Sequence, residues 1–169
     1  ATALNWDLNT KQNTYKLTGN FKYSYINDIT VNRQGYNTML NLMKTHGKFR
    51  YDVMGTYVSK EYDINDMGYM TINNYYNIYA AASYRILNPT KNLATYRITG
   101  YNSAEFENTT GKLQEYYWGA LQRFNTRKYD YFEIEAYLHP LITYDFYEPR
   151  VDGRYLYKPR MFSFLTYFS

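Results

Sequence analysis

Unbroken alternation of apolar and polar residues from Tyr15 to Tyr25 is the feature that most constrains the fold. One face of this segment is aromatic or aliphatic, and the other carries lysine, threonine, asparagine and serine. Successive residues of a β-strand point to opposite faces, so this alternation predicts a strand. The segment is longer than the roughly 5–6 residues typical of strands in soluble proteins.

The same alternation returns along the chain and predicts about nine strands. They are Thr2–Leu8, Tyr15–Tyr25, Tyr36–Lys44, Phe49–Ser59, Tyr69–Ile86, Ala94–Phe106, Tyr116–Phe124, Tyr131–Leu138 and Phe162–Phe168. Segments rich in Gly, Asn, Pro and Lys separate them, and the two longest connections are residues 59–68 and 139–159. These signals are typical of hairpin turns and longer loops. The sequence therefore predicts one all-β domain over residues 1–169, built as an antiparallel meander.

Composition excludes several classes of protein. The chain has 169 residues, a formal net charge of +4 and no cysteine. Without cysteine there is neither a disulfide scaffold nor a thiolate metal site. No apolar run approaches the roughly 20 residues of a membrane-spanning helix. Aromatic residues make up 21% of the chain, which is not the composition of a disordered protein.

Aromatic residues gather near the ends of the apolar strand faces, while Gly, Ala, Val and Ile occupy their middles. This arrangement is typical of transmembrane barrels, where amphipathic rings lie at the two membrane interfaces. The predicted lipid-facing aromatic girdle is Tyr15, Tyr23, Tyr25, Phe49, Tyr51, Tyr57, Tyr76, Tyr84, Tyr96, Phe106, Trp118 and Phe124.

The opposite strand faces carry charges in the middle of strands, which a hydrated barrel interior accommodates. The predicted lumen-facing charges are Lys22, Arg50, Asp52, Arg85, Arg97, Arg123, Glu133 and Glu135. The favoured fold is therefore a transmembrane β-barrel of about 8–10 strands, and this count suits either a complete small barrel whose lumen is filled by side chains or a portion of a larger one. A soluble β-protein would instead bury the apolar face, and every buried tyrosine hydroxyl would then need a partner.

Two segments resemble a Bacteroidota outer-membrane family: residues 59–70, which contain Asp63-Ile64-Asn65-Asp66-Met67-Gly68, and residues 147–159 with the aromatic strand that follows. Members of that family combine an N-terminal module akin to carbohydrate-binding family 9 with a long C-terminal β-barrel domain of unknown function. The resemblance implies location in the bacterial outer membrane. It also implies that the chain is a portion of a larger barrel, because the barrel region of that family is much longer than 169 residues.

The sequence suggests no catalytic group, metal or cofactor. His46 and His139 lack the spacing of metal ligands, and residues 63–66 lack the closing Glu of a calcium loop. Glu133 and Glu135 are interpreted as members of an ion-pair network with Arg85, Arg97 or Arg123. The long loop near the C-terminus mixes tyrosines with charges, and Tyr147, Arg150, Asp152 and Arg154 are candidates for glycan contact.

The expected function is that of a non-enzymatic outer-membrane barrel, acting as a passive pore or as the anchor of a glycan-related module. One alternative is a non-conducting structural subunit of an outer-membrane assembly, and another is a soluble sugar-binding β-protein. The expected partners are the lipid bilayer and other outer-membrane proteins or the barrel-assembly machinery. Nucleic acid is not expected as a partner, because basic and aromatic residues fall on opposite faces, whereas a binding platform needs both on one.

Overall fold

The computed structural model describes residues 1–27, 32–64, 72–86, 88–151 and 153–169, and within them every regular element is a β-strand. The strands are β1 (Thr2–Asn9), β2 (Tyr15–Asn27), β3 (Asn32–Lys44), β4 (Phe49–Val58), β5 (Tyr75–Ile86), β6 (Leu93–Glu107), β7 (Leu113–Thr126), β8 (Tyr131–His139), β9 (Thr143–Asp145), β10 (Leu156–Lys158) and β11 (Met161–Phe168). No helix in the described part of the chain is long and apolar enough to cross a membrane.

Nine strands form one antiparallel sheet in the order β1-β2-β3-β4-β5-β6-β7-β8-β11. Each strand pairs with its neighbour in the sequence, except that β8 pairs with β11. Between those two, β9 and β10 form a separate two-stranded hairpin. The predicted all-β antiparallel meander is confirmed.

Two predicted details are wrong. The fifth strand was expected to begin at Tyr69, but it begins at Tyr75; residues 69–71 lie outside the described part of the chain. Asn74 has a φ of 64°, a left-handed conformation that cannot continue a strand. The connection 139–159 was expected to be a loop, yet it contains β9 and β10, which are too short to show an alternation pattern.

The described sheet is open, so the predicted closure into a barrel is not observed. β1 and β11 are its two edges, and eight successive antiparallel pairings separate them. An even number of reversals leaves these two strands running in the same direction. Joining them would create a parallel pair, which a meander of antiparallel strands does not form directly.

The sheet has an apolar face and a polar face, and the polar face is the more buried. On the apolar face, Ile78 is 55% exposed and Phe164 is 61% exposed. On the polar face, Ser83 and Ser103 are buried at 7% and 3% exposure. Among the described residues only Val58 and Tyr62 are buried hydrophobic side chains, so the sheet does not enclose a conventional apolar core.

The two ends of the sheet also differ. At the turn end, short connections at residues 10–14, 45–48 and 127–130 join consecutive strands. At the loop end lie the longer connections 59–74 and 140–160. Transmembrane barrels show the same asymmetry between short turns and long loops.

Parts of the long connections fold back against the loop end of the sheet. The main chain of Tyr62 lies directly over Gly35, and the N–H of Asp63 donates to the Ser24 hydroxyl at 3.1 Å. Gln114 donates to the Tyr147 hydroxyl at 3.1 Å, and that hydroxyl donates to the Asn73 carbonyl at 3.2 Å. These contacts tie the loops to the sheet.

Candidate functional site

All twelve residues predicted as a girdle lie on the apolar face. Their directly opposite partners across the sheet are on the same side, as the registers Tyr57↔Tyr76 and Tyr96↔Phe124 illustrate. Several are strongly exposed, including Tyr25 and Phe49 at 51% and Trp118 at 52%. The sheet thus presents its aromatic and aliphatic side chains outward instead of sheltering them.

The exposed aromatic rings form two belts, one toward each end of the sheet. In the loop-end belt, Tyr36 stacks on Tyr57 with ring centroids 5.4 Å apart, and Tyr76 stacks on Phe106 at 4.9 Å. The corresponding contacts of the turn-end belt join Phe124, Phe132 and Phe168 at 4.7 Å each.

Three belt members, Tyr36, Phe132 and Phe168, were not among the predicted girdle residues. The alternation had placed each of them on an apolar strand face. Their membership in a belt depends on which residue of the next strand lies beside them. That register appears only in the paired sheet.

Small residues occupy the space between the belts. Ala82, Gly100, Ala120 and Ala136 lie side by side in one cross-strand row through β5, β6, β7 and β8. A Cβ added at Gly100 would meet no atom within 4 Å, so nothing within the described chain covers this row there. The apolar face therefore consists of a low central band between two raised aromatic borders.

Both belts run obliquely to the cross-strand rows. Tyr15 and Tyr51 belong to the turn-end belt, and the cross-strand row that contains them passes through Ala120 in β7. In β7, however, the belt is formed by Phe124, which is four residues closer to the turn end. At the loop end, the cross-strand row that contains Trp118 passes through Val53 in β4, whereas the belt in β4 is formed by Tyr57, four residues away. Both belts are therefore displaced toward the turn end on going from β4 to β7.

The size of this displacement can be converted into an angle. Four residues span about 14 Å along a strand, and the five steps from β2 to β7 span roughly 24 Å across the sheet. The belts therefore make an angle of about 30° with the cross-strand rows. Strands tilted in a bilayer require such an offset, since strands of transmembrane barrels tilt by about 35–45°.

All eight residues predicted as lumen-facing charges lie on the polar face. Arg123 donates to Glu133 at 2.6 Å, which is one of the ion pairs that the sequence interpretation foresaw. Glu135 instead accepts a hydrogen bond from the Tyr101 hydroxyl at 2.7 Å. Lys22, Arg50, Asp52, Arg85 and Arg97 form no ion pair within 4.0 Å among the described residues.

Aromatic residues on the polar face pack edge to face instead of forming a belt. Tyr101 contacts Tyr117 and Tyr137 with ring centroids 6.2 and 5.9 Å apart, at steep interplanar angles. Tyr101 also covers Gly119, its directly opposite neighbour, just as Trp6 covers Gly19 on the apolar face. An aromatic ring over a cross-strand glycine shields backbone that lacks a side chain.

A cavity of about 440 Å³ opens at the loop end. Tyr147 and Arg150, two of the four predicted loop contacts, line it together with Tyr155 and Lys112. Arg154 is not among the lining residues, and Asp152 lies outside the described residues. The Lys112 ammonium lies 3.9 Å from the centre of the Tyr155 ring, a cation–π geometry.

Several ionisable groups in the loop have shifted pKa values, and two of them bear on how the loop is held. Burial raises the pKa of Tyr147, and its protonated hydroxyl donates to the Asn73 carbonyl. Partial burial opposes ionisation of Asp145. The N–H groups of Glu148 and Tyr147 and the ammonium of Lys158 nevertheless hold the pKa of that carboxyl below its usual range.

The two histidines are not part of any metal-site geometry among the residues that the structure describes. His139 packs on Tyr117 with ring centroids 5.5 Å apart, and the described residues contain no group of three His, Cys, Asp or Glu placed to hold a metal. Asp63 lies 3.9 Å from Arg33, whereas Asn65 and Asp66 lie outside the described residues.

Residues 1–169 match the family described as a domain of unknown function (DUF5916). The chain belongs to this family. The comparisons with curated proteins and with solved structures found no match. The family assignment agrees with the resemblance in naming an uncharacterised domain. A Bacteroidota source and a carbohydrate-binding partner module stay predictions.

Proposed function

We propose that this chain is a membrane-embedded portion of a β-barrel in the bacterial outer membrane, with its apolar face toward lipid and its polar face toward a hydrated interior. One observation carries the proposal: the face with exposed apolar side chains is bordered by aromatic belts, and the opposite face is polar and more buried. A sheet in water has the reverse preference, because burying apolar area is what stabilises it.

The spacing of the belts fits a bilayer. Tyr76 and Tyr84 border the apolar face on β5 and are eight residues apart. Eight residues span about 27 Å along a strand, and tilting the strand shortens this to somewhat over 20 Å. The apolar band of a transmembrane barrel is about 25 Å tall.

The open edges support a larger barrel. β11 is an uninterrupted strand without a charged residue or proline, and Phe162, Phe164 and Phe168 on it are each more than 60% exposed. An edge of this kind is a template for another strand. An odd number of added strands would bring the total to an even number and let the ring close in antiparallel fashion. Bacterial single-chain barrels have even strand numbers.

Within this proposal the barrel acts as a passive pore or as the anchor of a glycan-related module in an outer-membrane protein of Bacteroidota type. A non-conducting structural subunit would share the same apolar face and differ only in lacking conductance. Planar-bilayer recording from the full-length protein separates the two, since stable single-channel steps are expected of a pore and none of a structural subunit.

Fluorescence quenching by lipid tests the membrane face directly. Both tryptophans, Trp6 and Trp118, lie on the apolar face. In phosphatidylcholine vesicles brominated on the acyl chains their emission is expected to be quenched strongly, while aqueous iodide is expected to have little effect. A chain that is monomeric and stable without detergent, with tryptophans quenched by iodide alone, would instead be a soluble β-protein.

A second candidate function is contact with carbohydrate at the loop-end cavity. Aromatic rings beside hydrogen-bonding groups suit a sugar ring, and Tyr147, Tyr155 and Arg150 provide both at a cavity of about 440 Å³. Titration with neutral oligosaccharides is expected to release heat with the unmodified chain and much less with Tyr155→Ala. The exposed Tyr129, which is 93% exposed and remote in sequence, supplies the matched control Tyr129→Ala.

A further inference from the structure

Three arginines form a continuous row on the polar face near the turn end. Arg85 of β5 lies directly opposite Arg97 of β6, and Arg97 lies directly opposite Arg123 of β7. Like charges directly opposite each other across a sheet destabilise it. A sequence of strands that places arginine three times in one row therefore needs a compensating negative charge.

The described residues compensate only one end of this row. Arg123 is paired with the carboxylate of Glu133 at 2.6 Å. Arg97 donates to a neutral hydroxyl, that of Thr99, at 3.1 Å. The Nε of Arg85 is buried and has no hydrogen-bond partner among the described residues.

A cavity of about 230 Å³ lies beside the uncompensated arginines. Arg50 joins Arg85 and Arg97 in its wall, and Arg50 is held by a 3.2 Å hydrogen bond from its Nε to the Gly47 carbonyl. Ser83 and Thr99 line the same cavity and are directly opposite residues of β5 and β6. Three arginines and two hydroxyl-bearing residues thus line one cavity.

We propose that this cavity is a binding site for a phosphate or sulfate oxyanion. Guanidinium groups bind such anions through paired, charge-assisted hydrogen bonds, and hydroxyls add further donors. The volume is several times the roughly 30 Å³ that one water molecule occupies in the liquid, which is enough room for a tetrahedral oxyanion. Asp52 is the one carboxylate among the lining residues, and Lys44 joins the three arginines, so the cationic residues outnumber it by three.

The three arginines lie on the polar face, with Tyr51 at the border of the cavity, so the occupant is expected to come from the hydrated side of the sheet and not from the surrounding lipid. The anion is either free or an ester on a larger solute, because both present the same oxygens to the arginines. The proposal does not depend on membrane insertion, since a soluble sheet would carry the same site.

The test measures thermal stability and binding of the full chain in detergent micelles. Inorganic phosphate is expected to raise the midpoint of unfolding well above that in sodium chloride of equal ionic strength, and to bind in a calorimetric titration. Arg97→Gln is expected to weaken phosphate binding at least tenfold. The same variant is expected to raise the midpoint without phosphate, because it removes like-charge repulsion from the row. Lys11→Gln, a charge-matched change in an exposed turn, is expected to alter neither quantity.

Glycerol 3-phosphate in a parallel titration distinguishes an esterified from a free anion, and tight binding of either one supports the site. The proposal is overturned if phosphate acts no more strongly than chloride at equal ionic strength. It is also overturned if Arg97→Gln binds phosphate as the unmodified chain does. Lipid quenching of the tryptophans reports separately on the membrane proposal, so failure of one does not imply failure of the other.

Discussion

Gly35 is the residue at which one side-chain carbon decides how a loop docks. A Cβ at this position would lie 2.2 Å from the backbone nitrogen of Tyr62 and 2.3 Å from its Cα. Real Cβ atoms do not approach backbone so closely, and backbone cannot move aside as a flexible side chain does. The segment around Tyr62 therefore reaches the sheet only because residue 35 is glycine.

Gly35→Ala is expected to lower the free energy of unfolding by about 1–3 kcal/mol, the usual cost of overpacking a tight site. Urea titration of the chain in micelles, followed by tryptophan emission, measures the change. Gly100→Ala is the control, since its added Cβ meets no atom within 4 Å. Equal stability of the two variants would contradict the close approach of Tyr62 to Gly35.

β5 is the strand that best distinguishes an apolar face in contact with lipid from one in contact with water. Ala80 lies midway between Tyr76 and Tyr84 on its exposed apolar face, while Tyr79 and Ala81 on either side face the polar surface. Water tolerates a charge at an exposed position, whereas the middle of a bilayer does not. The same substitution thus has opposite consequences in the two environments.

Ala80→Lys is expected to cost about 2–4 kcal/mol of unfolding free energy in phosphatidylcholine vesicles, the range for a lysine near the bilayer midplane of a barrel. Gln12→Lys in the exposed turn before β2 is expected to stay within about 0.5 kcal/mol of the unmodified chain. Denaturant titrations of the two variants in the same vesicles give the comparison. A neutral Ala80→Lys would argue for solvent, and against lipid, at this face.

The β9–β10 hairpin is held in part by the ionised Asp145. Its pKa is lower in the folded chain than in the unfolded one, so its stabilising contribution is present above the unfolded pKa of about 3.9. That contribution is lost as the pH falls through the lower, folded value.

We therefore expect the paired strands Thr143–Asp145 and Leu156–Lys158 to be protected from amide exchange at neutral pH and to lose protection as the pH is taken below about 4. Mass-spectrometric exchange, corrected for the intrinsic effect of pH on exchange rates, reports this region. Asp145→Asn is expected to show reduced protection at neutral pH and little further change on acidification. Unchanged protection across this range in the unmodified chain would rule out the role of Asp145.

At the scale of the whole molecule, the unpaired edges dominate behaviour. β11 leaves one side of its backbone without a partner in the described sheet, and its side chains on both faces are exposed. Long apolar edges associate with other strands unless a charge interrupts them. The isolated chain is therefore expected to associate through β11.

Light scattering after size-exclusion chromatography in micelles is expected to find the unmodified chain as dimers or larger species. Leu165→Lys, which places a charge on the polar side of this edge strand, is expected to shift the chain toward monomer. Gln12→Lys adds the same charge in a turn and is expected to leave association unchanged. A monomeric unmodified chain would indicate that the edge is protected in some other way.

Alternation alone determined the nine long strands, their antiparallel sequence and the sorting of Tyr15, Trp118 or Arg97 to one face or the other, because a strand has a fixed period of two residues. Such a pattern is local and is readable in every strand separately. Alternation did not predict the start of β5, because Asn74 adopts a left-handed backbone conformation. It did not predict the β9–β10 hairpin either, because strands of three residues are too short to show a period of two.

Only the tertiary structure decided what lies beside what. The register between strands brought Arg85, Arg97 and Arg123 into one row, set the belts oblique to the rows, and paired Glu135 with Tyr101 instead of an arginine. It also left β1 and β11 as edges running in the same direction. Register depends on cross-strand hydrogen bonds between distant segments, and a sequence read one strand at a time does not contain them.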